Sequence, residues 1–407
     1  MTKNSLLFIG HLWPEPTSSA AGYRTLALLK ALSKYWSLHF ACAAAQTEYC
    51  ADLKALDIIS HEIKLNDSDF DQLVIDLKPS IVFYDRFISE EQFAPRVQQH
   101  SPESINIIDT QDLHFLRRAR QKALNTQQEI QLQSDDAIRE IAAILRSDLS
   151  LIISSYEMQL LIEQFKLSTD LLHYCPFMLS SDKQTVTTDF NERKNFVMIG
   201  NFLHPPNWDA VQWCYQFIWP QIRAQLPEAQ IHIYGAYTPD KALQLHQPDK
   251  GFFIKGRADN ALETLAKYRV NLAPLRFGAG IKGKIADGFM VGTPCVTTPI
   301  GQEGMADNLP WGGLIAEDSN NGDQIADKAI QLYKDQSLWQ QCSKNGHQII
   351  EQKFNENQHA EQLITRIKQL EENLSNQRKN NFYGQILRHN LYRSQYFMSK
   401  WIEEKNK

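Results

Sequence analysis

The run Ala273-Pro274-Leu275-Arg276-Phe277-Gly278-Ala279-Gly280-Ile281-Lys282-Gly283-Lys284-Ile285-Ala286-Asp287 sets three glycines, three cations and a carboxylate between an apolar stretch and a helical one. Glycines at 278 and 280 let backbone N–H groups come close to an anion, and the helix that follows offers the positive end of its dipole. Lys282 adds a mobile charge suited to phosphate oxygens, and the Gly278, Gly280 and Ile281 backbone completes the cradle. Asp287, between one and two turns further on, is placed to accept hydrogen bonds from ribose hydroxyls. These residue types suit a nucleoside diphosphate; a glycine-rich surface turn with solvated cations is the plainer alternative.

Other residues invite chemistry at separate points. Asp112 and His114 follow a probable strand end, with Arg117 close by. Arg24, beside Gly22 at the start of a helix, is a candidate for a phosphate or an anionic acceptor group across a cleft. Glu303 lies in a loop where a carboxylate can meet sugar hydroxyls, although turn structure explains it as well. Asp67-Ser68-Asp69 precedes Leu73-Val74-Ile75 and reads as a capped helix start rather than a metal site. No metal or other cofactor is expected. No Ser or Cys nucleophile has a histidine at supporting spacing, and a phosphate loop ending in Gly-Lys-Ser/Thr is absent.

Short β-rich runs alternate with helical stretches along the chain, as in parallel sheets covered by helices on both faces. The first series comprises Ser5–Gly10, Ser37–Ala43, Ile59–Lys64, Ser80–Tyr84, Ile105–Asp109, Leu149–Ile153 and Leu171–Tyr174. A second comprises Asn195–Gly200, Gln230–Tyr234, Gly251–Ile254, Val270–Ala273 and Thr293–Thr297, with helices at Pro206–Gln225 and Lys282–Val291. Two doubly wound Rossmann-like domains would face each other across a cleft at the carboxyl ends of their strands, where such sheets bind ligands. The expected division is 1–180, a polar linker 181–194, a second domain 195–355 and C-terminal helices 356–407.

With 407 residues, a two-domain chain is the first expectation. A formal net charge of −5 offers no basic field for nucleic acid. The six cysteines are scattered without metal-ligand spacing and read as buried thiols in a reducing compartment. No stretch approaches the roughly 20 apolar residues of a membrane span, so a cytoplasmic protein is expected. The segment 376–407 combines seven Lys/Arg with Phe382, Tyr383, Ile386, Phe397, Met398 and Trp401 at roughly helical spacing. Such a helix can lie peripherally on the inner face of a membrane, pack on its own N-terminal domain or meet another subunit.

Several motifs then fall in register: Gly200-Asn201-Phe202-Leu203-His204-Pro205-Pro206-Asn207-Trp208, Trp219-Pro220, Leu226-Pro227-Glu228-Ala229, Ile233-Tyr234-Gly235, Gly256-Arg257, Ala273-Pro274-Leu275-Arg276 and Gly292-Thr293-Pro294. In these the chain resembles the C-terminal domain of family-four glycosyltransferases of the GT-B fold, over about residues 195–352. The N-terminal half resembles the family in outline only. The resemblance implies retaining, metal-independent transfer of a sugar from a nucleotide-sugar donor to a glycan or lipid-linked acceptor. It implies donor contacts at Gly200, Asn201, Arg257, Lys282, Asp287 and Glu303, a sugar contact at His114, and an acceptor near Gly22, Arg24 and Asp112. Arg276, Lys282 and His114 are the catalytic candidates, the two cations stabilising the leaving diphosphate. Of two glutamates usual in the family, one falls on Asp287 and the other on Ala279. A nucleotide-sugar epimerase and an inactive partner subunit are the competing readings.

Overall fold

The alternation of short apolar runs with helices folds into two all-parallel sheets. The computed structural model of the protein describes residues 4–180, 189–317 and 321–406. The first sheet contains β1 (Ser5–Gly10), β2 (Ser37–Cys42), β3 (Ile59–Glu62), β4 (Ile81–Asp85), β5 (Ile105–Asp109), β6 (Leu149–Ile152) and β7 (Leu172–Tyr174), in the order 3-2-1-4-5-6-7. The second contains β8 (Lys194–Ile199), β9 (Ile231–Tyr234), β10 (Phe252–Gly256), β11 (Tyr268–Ala273), β12 (Cys295–Thr297) and β13 (Gly313–Ile315), in the order 10-9-8-11-12-13. Central strands carry apolar side chains on both faces, as β1 does with Leu6, Leu7, Phe8 and Ile9 fully buried. The strand order reverses between β1 and β4 in one sheet and between β8 and β11 in the other. Each reversal opens a crevice at the strands' carboxyl ends.

The C-terminal third divides its packing between the two sheets. Helices Asp323–Lys334 and Gln336–Lys353 place Ile325, Ala329, Leu332 and Trp339 in one core with β8 and β9. A bridge between Leu179 and Asn355 then carries the chain back. Helix Glu356–Asn380 inserts Leu363, Ile364, Ile367 and Leu370 among the side chains of β1 and β2. The final helices are therefore anchored to the N-terminal sheet.

Three details depart from the sequence reading. The helix expected over Pro206–Gln225 is two helices, Pro205–Trp213 and Trp219–Gln225, joined by a π turn at Cys214–Ile218. Pro220 has no N–H to donate upstream, and the wider turn absorbs that loss. Strand β13, three residues beside a Gly-Gly pair, was not anticipated. Of the expected linker 181–194, residues 181–188 lie outside the described residues, whereas Arg193 is buried against Thr293 and the Val291 carbonyl, within the second sheet's layer.

Candidate active site

Strand β11 ends at Ala273, at the switch point of the second sheet, and the glycine-rich run leads from it to the helix Gly283–Met290. Gly280 has a left-handed φ of +63°, and a Cβ there would come within 2.9 Å of the Asp112 Cβ in the other domain. The loop is thus pressed against the N-terminal domain where only glycine fits. At Gly278 the backbone is ordinary and an added Cβ would make a normal 3.7 Å contact with Ile300. Ile281 packs at the junction of the two domains, in a buried apolar cluster with Ile153 and Phe177 on one side and Ile285 and Met305 on the other.

Two lysines bracket the start of this helix. Lys282 is buried, its Nζ donating to the Gly280 carbonyl at 2.8 Å, and burial pushes its pKa down to about 8 against the opposing pull of Glu303. Lys284 is half-buried, bonds Asn207 Oδ1, and burial pushes it down to about 8 as well. Its Nζ lies 2.8 Å from where a Cβ on Gly200 would stand, so Gly200 leaves room for the ammonium in front of β8. Two cations whose charge is costly to keep, beside a helix N-terminus, form a site suited to an anion. Asp287 lies deeper along the helix, and burial pushes its carboxyl up to about 7.

The N-terminal domain answers with a group of residues after β5. Asp112 lies 3.3 Å from His114 Nε2 and pairs with Arg117 Nε at 2.7 Å. Burial would raise its carboxyl, but Arg117 and His114 outweigh it and hold the group well below the usual range. Burial, aided by Arg117 and Arg86 against the Asp112 charge, pushes His114 down to about 4. The ring is neutral near pH 7, with Nε2–H toward Asp112 and Nδ1 buried without a hydrogen-bond partner among the described residues.

Contacts across the cleft bring in Glu157 and Arg120, which the sequence did not single out, beside candidates that it did. Glu157 Oε1 accepts from Leu113 N at 2.9 Å and from Gly280 N at 2.8 Å, joining the two domains at the donor loop. Burial, then the Asp112 charge, pushes its carboxyl up to about 7. Arg120 donates to the Gly278 carbonyl at 2.8 Å and grips both oxygens of Glu303. On the far side Arg257 donates to Thr17 and Ser18 and stacks over Tyr49, while Asn201 approaches the Ser18 carbonyl at 3.4 Å.

Several expected ligand contacts are differently employed. Arg24 is buried, with Asp109 at 2.7 Å and the Cys175 and Pro176 carbonyls taking its remaining donors; it faces its own domain's interior, so the expected phosphate contact does not form. Gly22 admits the Glu15 backbone, whose carbonyl would be 2.4 Å from an added Cβ. Arg276 is held bidentate by Asp209 rather than left free for a diphosphate. Glu303 answers Arg120 rather than the open cleft. Asp67 caps the helix Ser68–Leu77 by accepting from Asp69 N, as its spacing predicts.

Residues 193–335 match the family described as Glycosyl transferases group 1. Sucrose-phosphate synthase from Thermosynechococcus elongatus superposes with a TM-score of 0.69 at 14% identity, covering 90% of this chain and 99% of that one. Anabaena HepE, solved with UDP and glucose, gives 0.67 at 12% identity over 90% and 99%. WaaG, a glycosyltransferase involved in lipopolysaccharide biosynthesis, gives 0.63 at 9% identity over 88% and 98%. No match was found among curated protein sequences. The paired parallel sheets are the GT-B fold. With the group 1 match over its second sheet, the protein is a glycosyltransferase.

Proposed function

We propose that the protein transfers a sugar from a nucleotide-sugar donor to a glycan or lipid-linked acceptor, with retention of anomeric configuration, without a required metal, and in the cytoplasm. The observation that carries this reading is the pair Lys282 and Lys284 at the amino end of helix Gly283–Met290, in a loop whose Gly280 is pressed against Asp112 of the other domain. As the glycosidic bond breaks, negative charge accumulates on the leaving diphosphate. The two ammonium groups, whose charge burial disfavours, become better stabilised as that negative charge develops beside them. Asp287 faces the ribose. The acceptor lies against the N-terminal domain near Asp112, and closure through Glu157 and Arg120 excludes water. The UDP and UDP-glucose in the HepE structures fit a nucleotide-sugar donor here. Retention rests on the resemblance to family four.

The test is incubation with UDP-, GDP- and ADP-sugars, read by NMR at the anomeric carbon with and without EDTA. Slow release of nucleoside diphosphate, insensitive to EDTA, with the donor configuration kept in the product, is expected. Conversion of the donor to an altered nucleotide sugar indicates an epimerase; absence of binding to every donor indicates an inactive subunit.

A further inference from the structure

The last helical segment docks with its faces reversed. Helices Phe382–Leu387 and Arg393–Lys405, joined by a π turn at Arg388–Tyr392, lie on the N-terminal domain through polar anchors. Arg388 pairs with Asp148 at 2.7 Å, Tyr392 bonds Glu90, and Lys400 pairs with Asp71 at 2.7 Å. Ser399 accepts from Arg96 at 2.9 Å and donates to Asn66 at 2.7 Å. The approach is close, because a Cβ on Gly384 would stand 2.2 Å from the Leu145 carbonyl. A surface helix ordinarily buries its apolar stripe and exposes its charges. Here Phe382, Tyr383, Ile386, Phe397, Met398 and Trp401 face outward, each between 41% and 73% exposed. Among the described charged side chains of 376–406, Lys379, Arg393 and Lys405 are exposed, and Glu404 is the one exposed acid.

We infer that this face is a docking surface for an anionic lipid bilayer. Aromatic rings seat at the boundary between headgroups and acyl chains, and the interleaved cations meet lipid phosphates. Charge complementarity selects this occupant over a second copy of the chain, since a two-fold contact would press one net positive patch against another. No helix among the described residues is long and apolar enough to cross a membrane, so this attachment is peripheral. The inference is independent of the catalytic reading, because vesicle binding needs neither donor nor acceptor.

The test is co-sedimentation of the full chain with vesicles of phosphatidylcholine, alone or mixed with phosphatidylglycerol. Binding to the mixed vesicles that weakens with added salt is expected. Phe397→Ser with Trp401→Ser, and separately Lys379→Glu with Arg393→Glu, should each lower the bound fraction about tenfold. Their melting temperatures should match the parent, because all four side chains are exposed. Failure of the parent to bind mixed vesicles overturns the inference. So does unaltered binding by both variants, or a dimer in analytical ultracentrifugation that the aromatic variant dissolves without any vesicle binding by the parent.

Discussion

At the residue scale the site turns on how burial sets the charge of two lysines. A bound diphosphate favours the protonated amines and raises their pKa from about 8, so binding takes up protons near that pH. Nucleoside diphosphate affinity, followed by calorimetry, should therefore be full below pH 7 and fall as pH rises through 8. Lys282→Ala or Lys284→Ala should each weaken it about 10- to 100-fold, the worth of one charge-assisted hydrogen bond in a partly dry site. Arg24 makes the opposite case. Arg24→Met strands the fully buried Asp109 and should cost about 3–5 kcal/mol in urea unfolding, with little change in donor KM among molecules that remain folded. Lys282 was legible in the sequence because its motif is contiguous. Arg24 was misread because its partners Asp109, Cys175 and Pro176 lie far along the chain, and sequence spacing does not reveal which way a helix-start arginine faces.

At the scale of elements, the glycine loop and the helix it launches form one device. Gly280 holds a left-handed φ against Asp112, whereas Gly278 does not need its hydrogen side chain. Gly280→Ala should lose about tenfold or more in turnover, from a left-handed cost of about 1–2 kcal/mol and a displaced loop. Gly278→Ala should stay near parental activity. Steady-state kinetics beside circular-dichroism melting separates the loop effect from unfolding. The parallel strands were readable because fully buried strands form short β-branched runs bounded by helices, as in Ile81–Asp85 and Ile105–Asp109. Strand β13 escaped because three residues carry no period, and the break before Pro220 escaped because an apolar helical pattern runs through it.

At the scale of the molecule, the cleft is held closed by polar contacts beside an apolar seam in which Ile153 and Phe177 of the N-terminal domain meet Ile281 and Ile285 of the second. Glu157 and Arg120, each more than 100 residues from the backbone they grip, depend on how the two domains face, which no local pattern encodes. Arg120→Ala releases Glu303 and the Gly278 carbonyl together. It should widen the molecule in small-angle X-ray scattering and raise donor hydrolysis relative to transfer, as water enters. In the proposed function the carboxyl ends of β8 and β11 hold a leaving diphosphate on Lys282, Lys284 and the start of helix Gly283–Met290. A crystal structure with a bound nucleoside diphosphate tests it most directly. Phosphate oxygens should lie within hydrogen-bond distance of both ammonium groups, with the ribose beside Asp287; a nucleotide seated away from the two lysines would overturn the assignment.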